Sequence, residues 1–192
     1  SIDAAKKVQE IDKIYVSTED FEIKKISLEN NAFVIDRPDE LAKDTSSYLE
    51  AVKHLLNLIP ENNSNPIIVL LETTSPIRNP LDIKNCIKLF NKKIDCVASI
   101  SEVKISPVYM YKEKNGFLEK YDSSITATNR QQMEKLFYYN GSILVTTLNF
   151  LKTQENVVFG GNMKGYLLDE KNSFDIDSTL DFTICDFLFK KN

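Results

Sequence analysis

The chain has 192 residues, of which 42% are hydrophobic and 27% are charged. This composition is typical of a globular chain that buries one core, so we expect a single domain over residues 1–192. The 24 basic and 28 acidic residues give a net charge of −4. Because both signs are interspersed, the charge pattern argues against a nucleic-acid surface and against a polybasic membrane patch, and it favours a small ligand.

The cysteines and the lengths of the apolar runs indicate in which cellular compartment the protein functions. Cys86, Cys96 and Cys185 are odd in number and lack a CxxC spacing, so neither a disulfide framework nor a zinc site is indicated. No apolar run approaches the length of about 20 residues that a membrane-spanning helix needs, and no signal sequence precedes the first element. These patterns predict a cytoplasmic protein without a membrane partner.

Strands and helices alternate through the first half of the chain. After an opening helix (IDAAKKVQEI), the pattern predicts, in chain order, strand Lys13–Ser17, helix Asp20–Asn30, strand Ala32–Ile35, helix Tyr48–Leu58, strand Ile67–Leu71, helix Pro80–Phe90 and strand Cys96–Ser101. Such alternation, with β-branched strands, favours right-handed crossovers between parallel strands. The predicted class is therefore α/β with a mostly parallel sheet.

The pattern changes from Pro107 onward. The segment VYMYKEKNGFLEKY has two aromatic-rich arms around Asn115-Gly116, a pair preferred in tight turns, so we predict a protruding β-hairpin. Exposed aromatic side chains are costly, so either a partner subunit covers them or they pack on the parent domain. The hairpin arm and its return loop occupy residues 105–136. Beyond them we predict a strand at Ser142–Thr146, a strand at Gly165–Leu168 and a final amphipathic helix at Thr179–Lys190.

The stretch Ile67–Arg78, IIVLLETTSPIR, is an apolar run that ends abruptly in polar residues. The run IIVLL is typical of a strand that is buried on both faces. In an open α/β sheet, such a strand delivers the polar residues that follow it to the crevice where ligands bind. Turn chemistry also explains Thr, Ser and Pro at the end of a strand, so the motif alone leaves a binding and a structural interpretation open.

Two aspartates near the carboxyl end, in FDIDSTLD, form a second candidate site. If the segment is extended, Asp175 and Asp177 point to the same face. Two hard carboxylates there could share one Mg²⁺ and leave positions for water and phosphate oxygens. The structural alternative is that Asp177 or Ser178 caps the following helix, with Asp181 in its first turn.

Two arginines and a hydroxyl cluster complete the candidates. Arg37 follows a strand and offers a guanidinium fork for a phosphate or a base carbonyl. Ser46 and Ser47 precede a helix, where small residues let backbone groups approach a planar ligand. Arg130 lies in the polar run NRQQ. Surface salt bridges, ordinary caps and a solvated loop explain these residues equally well when each is taken alone.

The joint order of these motifs resembles the acylneuraminate cytidylyltransferase family, the CMP-sialic acid synthetases and their relatives that act on other nonulosonic acids. The resemblance runs through VSTED, RPDELAKDTSS, LLETTSPIR, RQQ followed by FYYNGSILV, and SFDIDSTLDF. The corresponding family patterns are RPxELA, LLQPTSPLR, RQ…RPNGAIY and IDIDTELD. The resemblance implies a Rossmann-like sheet flanked by helices, of the nucleotide-diphospho-sugar transferase type, and a hairpin that serves as the dimerisation arm of a homodimer.

The resemblance also implies a reaction, in which CTP and a nonulosonic acid give a CMP-sugar and pyrophosphate. By the same resemblance, Asp175 and Asp177 would hold Mg²⁺ and would act in catalysis together with Arg130. The positions that match those lining the family's cytidine site are Arg37, Ser46 and Ser47. The positions that match those around the sugar acid are Thr74, Arg130 and Asn140. Two alternatives are a cytidylyltransferase for another sugar acid and a non-catalytic dimeric remnant that uses the same crevice for binding.

Three departures from the family pattern bear on function. The family's first strand and phosphate loop, which reads like ARxGSKGxxxKN, have no counterpart in the 192 residues, so we expect exposed sheet edges. Glu72 stands where the family has Gln, and a carboxylate beside an acidic sugar is repulsive unless it is protonated or paired. Tyr138-Tyr139 replaces Arg-Pro, which removes a cation. The last two changes predict an altered sugar, one with an amine or with fewer contacts to its carboxylate.

Overall fold

The computed structural model describes residues 1–43, 45–59, 65–124, 134–155 and 160–190. Its helices and strands follow the predicted alternation. In chain order they are α1 (Ile2–Lys6), β1 (Tyr15–Thr18), α2 (Phe21–Glu29), β2 (Phe33–Asp36), α3 (Tyr48–Leu58), β3 (Ile67–Leu70), α4 (Pro80–Leu89), β4 (Cys96–Glu102), β5 (Tyr111–Lys114), β6 (Phe117–Lys120), β7 (Phe137–Thr147), α5 (Leu148–Thr153), β8 (Met163–Leu167) and α6 (Thr179–Lys190). Among the described helices, none combines the length and the apolarity that crossing a lipid bilayer requires.

Side-chain caps start the helices that follow β1 and β3. Asp20 caps α2 by accepting a hydrogen bond from the backbone N–H of Ile23 at 2.8 Å. Asn79 caps α4 by accepting a hydrogen bond from the N–H of Leu81 at 2.9 Å. Pro80 lies in the first turn of α4, where backbone N–H groups have no acceptor within the helix, so its lack of an N–H costs no hydrogen bond. These caps end the turns at the carboxyl edge of the strands, where the candidate residues lie.

The main sheet has the strand order β3-β7-β4-β8. Strand β7 runs antiparallel to both of its neighbours, whereas β4 and β8 are parallel. Three of the four strands therefore share one direction, as the α/β prediction required, and β7 is the exception. Strands β1 and β2 form a separate parallel pair.

The core lies on both faces of the main sheet. Neighbouring residues of a strand point to opposite faces, and the buried residues of β4 and β7 divide accordingly. One cluster packs the sheet against α3 and α5 and contains Leu49, Leu56, Cys96, Ala98, Leu144, Leu148 and Leu151. The other packs it against α1 and α4 and contains Val8, Ile83, Cys86, Val97, Ile143, Val145 and Leu168. The architecture is therefore a sheet between two layers of helices.

A groove of about 1130 Å³ separates β1 from β3. Both strands line it, together with apolar side chains of α2 and α3 that include Ile23, Ile26 and Leu55. In the described part of the chain, β1 pairs only with β2 and β3 pairs only with β7. The groove thus lies between two strand edges that have no partner in the described ranges.

The hairpin prediction is confirmed. Strands β5 and β6 are antiparallel, and Asn115 and Gly116 join them with φ angles of 53° and 81°, the left-handed conformation that this turn requires. The aromatic residues Tyr109, Tyr111, Phe117 and Tyr121 are between 52% and 76% exposed. Of the two alternatives for these side chains, packing on the parent domain is therefore wrong within the described residues.

Candidate active site

The two motifs singled out in the sequence, TTSP after β3 and FDID before α6, contact each other. The backbone N–H of Ile176 donates to the carbonyl oxygen of Thr74 at 2.9 Å. The Ser75 hydroxyl, which is fully buried, donates to Oδ1 of Asp175 at 3.2 Å. These bonds bring the aspartate pair to the mouth of the crevice at the carboxyl end of β3.

Asp175 and Asp177 line a pocket of about 1140 Å³, hereafter the acidic pocket. Carboxylates dominate its wall. They belong to Glu72, Glu102, Asp169, Glu170, Asp175, Asp177 and Asp181. Lys104 also lines it, but its ammonium group is paired with Glu170. The excess of negative charge favours a cationic ligand or an anionic ligand that arrives with a cation.

The helix cap after the aspartate pair comes from Ser178 and Asp181. The Ser178 hydroxyl donates to Oδ2 of Asp181 at 2.7 Å and accepts from the Asp181 backbone N–H at 3.3 Å. The Asp177 backbone N–H donates to the same Asp181 carboxylate at 3.3 Å. Of the two residues proposed as caps, Ser178 is confirmed, and the exposed Asp177 carboxylate remains on the pocket side.

The donor set of the acidic pocket fits Mg²⁺ with a partly hydrated shell. Within the described ranges, no group of three or more His, Cys, Asp or Glu side chains is arranged to hold a metal ion. Mg²⁺ commonly binds through one or two carboxylates and completes its shell with waters and substrate phosphate oxygens. Asp175, held by Ser75, and Asp177 could supply these two carboxylates.

Asn140 lies at a bulge in β7. The register of β4 against β7 shifts between Ala98 and Ile100, and Gly141 has a φ angle of 75°. The prediction that this strand begins at Ser142 is therefore wrong, because Asn140-Gly141 forms a bulge inside a longer strand.

A buried network holds the Asn140 amide in place. Ser99 donates its hydroxyl to Oδ1 of Asn140 at 2.6 Å, and the Ser142 N–H donates to the same oxygen at 3.2 Å. Nδ2 of Asn140 donates to the Ser101 hydroxyl at 2.9 Å. Among the described partners, these bonds use one of the two amide hydrogens of Asn140, and the residue joins the wall of the acidic pocket.

Glu72 stands where the acidic pocket and the groove meet, since it lines both. Its Oε1 lies 3.4 Å from the hydroxyl of Tyr139, which donates to it. A Cβ atom at Gly141 would lie 3.0 Å from Oε2 of Glu72, so the absence of a side chain there makes room for the carboxylate. Burial raises the pKa of Glu72, and the charge of Asp175 raises it further.

Replacing Glu72 with Gln is expected to raise the free energy of unfolding near neutral pH and to lose this advantage as the pH falls. The pKa of Glu72 is higher in the folded than in the unfolded state. The free energy of unfolding of the wild type therefore falls as the pH rises from the unfolded-state pKa through the folded-state pKa, because the folded state has to ionise a partly buried carboxyl group. Gln does not ionise, so the variant does not lose this stability. Urea unfolding of both proteins between about pH 4 and about pH 8 measures the effect. A stability difference that does not change with pH would contradict it.

Arg78 points into the protein rather than into the crevice. Its Nη2 donates to the carbonyl oxygens of Glu72 at 2.7 Å and Ser142 at 2.8 Å. Burial lowers the pKa of Arg78 to about 10. The Arg78 guanidinium thus links the end of β3 to β7 beside the bulge. The polar end of the IIVLLETTSPIR segment therefore contains residues that line the pockets and one residue that has a structural role.

Of the predicted nucleotide-side residues, Arg37 directly follows β2, whereas Ser46 and Ser47 precede α3 and do not line the groove. Nε and Nη2 of Arg37 donate to Oε2 of Glu19 at 2.8 and 2.5 Å, and this bond lowers the pKa of Glu19. Arg37 also lines the groove. The Ser46 hydroxyl donates to the carbonyl oxygen of Glu40 at 2.7 Å, and Ser47 precedes α3 without a side-chain cap bond. The Ser47 hydroxyl is therefore not used in capping.

The structure brings most of the predicted sugar and metal residues together. Thr74 lines the groove, and Asn140, Asp175 and Asp177 line the acidic pocket. Arg130 lies outside the described residues. Sequence reasoning missed the bond from Ser75 to Asp175, although a small hydroxyl residue in the turn after an apolar strand was a usable signal.

The fold and the site together define a Rossmann-like α/β domain with a mostly parallel central sheet and a crevice at the carboxyl end of β3. Comparison with protein families gives the narrower assignment. The family model described as "Cytidylyltransferase" matches residues 1–182, so the chain belongs to the cytidylyltransferase family.

Curated relatives agree with this family. The N-acylneuraminate cytidylyltransferase of Escherichia coli O18:K1:H7 is 29% identical over 188 residues, which are 96% of this chain and 43% of that protein. The post-translational flagellin modification protein B of Campylobacter coli is 29% identical over 196 residues, covering 100% of this chain and 83% of that protein. The chain thus spans less than half of the first relative and most of the second.

Solved structures support the fold. A CMP:2-keto-3-deoxy-manno-octonic acid synthetase complexed with CTP superposes with a TM-score of 0.69 at 11% identity, covering 99% of this chain and 86% of that one. A 4-diphosphocytidyl-2C-methyl-D-erythritol synthase superposes with a TM-score of 0.70 at 10% identity, covering 98% and 86%. At these identities the likeness concerns the fold alone.

Proposed function

We propose that the full-length protein is a cytidylyltransferase that joins CTP to a sialic-acid-like nonulosonic acid and releases pyrophosphate. The observation that carries the proposal is the contact between TTSP and FDID, through the bonds from Ile176 to Thr74 and from Ser75 to Asp175. It brings the aspartate pair next to Thr74, and Asn140 lines the acidic pocket together with that pair. Membership of the cytidylyltransferase family supports the same reaction.

The side chains would act mainly by positioning the two substrates. The anomeric hydroxyl of the sugar would attack the α-phosphorus of CTP in line, and positioning together with charge neutralisation provides most of the catalysis in such transfers. Thr74 and Asn140 would contact the sugar acid, and the guanidinium of Arg130 can pair bidentately with its carboxylate or with a phosphate. Arg37, Ser46 and Ser47 would face the cytidine.

Asp175 and Asp177 would hold Mg²⁺. When bound, this ion neutralises charge on the phosphate oxygens. Ser75 would keep the Asp175 carboxylate in one orientation, because its buried hydroxyl donates to Oδ1 at 3.2 Å.

The proposal includes a cytoplasmic homodimer. The exposed aromatic residues of the hairpin β5–β6 support this assembly, because apolar side chains on a protruding arm are costly to leave in water.

The reaction can be tested directly with the full-length protein. We expect CTP to be consumed, with release of pyrophosphate, only when Mg²⁺ and a nonulosonic acid are both present. Omission of either one serves as the control. Binding of CTP without consumption, across a panel of nonulosonic acids, would favour the binding-module alternative instead.

A further inference from the structure

A half-buried carboxylate stands at the meeting point of the two cavities. Glu72 lines both the acidic pocket and the groove, so it faces the place where a sugar in one cavity would meet a nucleotide in the other. The Tyr139 hydroxyl donates to its Oε1 at 3.4 Å, and the lack of a side chain at Gly141 leaves room for Oε2. The carboxylate thus lies in the wall that the two cavities share.

The hydrogen-bond capacity of this carboxylate is mostly unused. An ionised carboxylate offers about four acceptor sites, and the Tyr139 hydroxyl, at 3.4 Å, fills one of them weakly. The nearby Arg78 directs its Nη2 to backbone carbonyl oxygens. Among the described residues, no lysine or arginine forms a salt bridge with Glu72. A ligand in the pocket would therefore meet an acceptor that has no salt-bridge partner among the described residues, although the charge of Arg78 acts on it from nearby.

The wall of the acidic pocket is also more negative than the family pattern predicts. Tyr138 and Tyr139 line it where that pattern has Arg-Pro, and Glu72 lines it where the pattern has Gln. One positive charge is lost and one negative charge is gained on the same wall. A Gln side chain can donate and accept, whereas an ionised Glu only accepts. A ligand group that faces the ionised form of Glu72 must then be a donor.

We propose that the sugar acid carries a positively charged nitrogen substituent, an amine or an amidine, and that Glu72 is the residue that selects it. This inference rests on the proposed function. An ionised nitrogen would supply the missing hydrogen-bond donor and the missing positive charge together. Hydrogen bonds between ionised partners are roughly twice as strong as neutral ones, so the selection would act mainly against sugars with a neutral acetamido group at this position.

The test compares sugars that differ in one substituent. The full-length protein is supplied with Mg²⁺, CTP and either N-acetylneuraminic acid, its 5-acetamidino analogue or its 9-amino-9-deoxy analogue, and kcat/KM is taken from pyrophosphate release. We expect the wild type to prefer at least one cationic analogue over N-acetylneuraminic acid. Glu72→Gln should lower kcat/KM for that analogue by about 10- to 100-fold and leave the value for N-acetylneuraminic acid nearly unchanged.

Glu102→Gln is the matched control. Glu102 lines the same pocket and its carboxylate faces Lys135 at 3.8 Å, so this change removes one negative charge without altering the wall at position 72. The control should keep the wild-type preference. A preference of the wild type for N-acetylneuraminic acid over both analogues, or an equal loss for all sugars in Glu72→Gln, would overturn the inference while the proposed function stands. Turnover with none of the three sugars would overturn both.

Discussion

Replacing Asp177 with Asn is expected to lower the turnover of the full-length protein by about 100-fold. The Asp177 carboxylate is exposed on the wall of the acidic pocket, and Ser178 and Asp181 make the cap of α6. The substitution therefore removes charge from the proposed metal site and leaves the helix start intact. Steady-state release of pyrophosphate measures turnover, and urea unfolding should show nearly unchanged stability.

Asp181→Asn is the matched control for charge in the same pocket. Asp181 accepts the Ser178 hydroxyl at 2.7 Å, which lowers the pKa of its carboxyl group. Its replacement should weaken the helix start and change turnover little. Full turnover in Asp177→Asn would mean that the aspartate pair does not hold a catalytic metal ion.

Replacing Arg78 with Met is expected to lower the free energy of unfolding by about 2 to 5 kcal/mol. The Arg78 guanidinium donates to the carbonyl oxygens of Glu72 and Ser142, and methionine has no donor to replace it. Two carbonyl groups next to the β7 bulge would then lose a charged partner in a largely buried place. Urea unfolding of the wild type and the variant, with the slope compared as well as the midpoint, measures the loss.

Arg37→Met is the control for removing an arginine. Arg37 makes a salt bridge with Glu19 that is partly open to solvent, and such pairs contribute roughly 0 to 1 kcal/mol. The free energy of unfolding of Arg78→Lys should lie between those of the wild type and Arg78→Met. A lysine ammonium group can donate to one of the two carbonyl oxygens but reaches both less readily than the guanidinium does. Equal losses of unfolding free energy in Arg78→Met and Arg37→Met would contradict the structural role of Arg78.

The parts of the candidate site that could be predicted from the sequence are those whose conformation depends on a few neighbouring residues. The apolar run before Glu72 predicted a strand that ends at a crevice, but the prediction that this strand is buried on both faces is wrong, because β3 lies at the edge of the main sheet and Ile67 is 52% exposed. The spacing of Asp175 and Asp177 predicted two carboxylates on one face of an extended segment. The Asn115-Gly116 turn was equally local, since few residue pairs accept left-handed φ angles at both positions. For these features, backbone conformation and solvation act within a few residues, so the order of the residues was sufficient.

The sequence by itself therefore determined the alternation of helices and strands, the hairpin and the chemical character of the two facing motifs. Only the tertiary structure decided that β7 lies antiparallel in the middle of the sheet, that Asn140-Gly141 is a bulge and that Arg78 points inward. It also decided that Ser75 holds Asp175 across 100 residues of chain. Such features depend on which distant strand edges and polar groups find each other, and burial and hydrogen bonding across the whole molecule select those pairings.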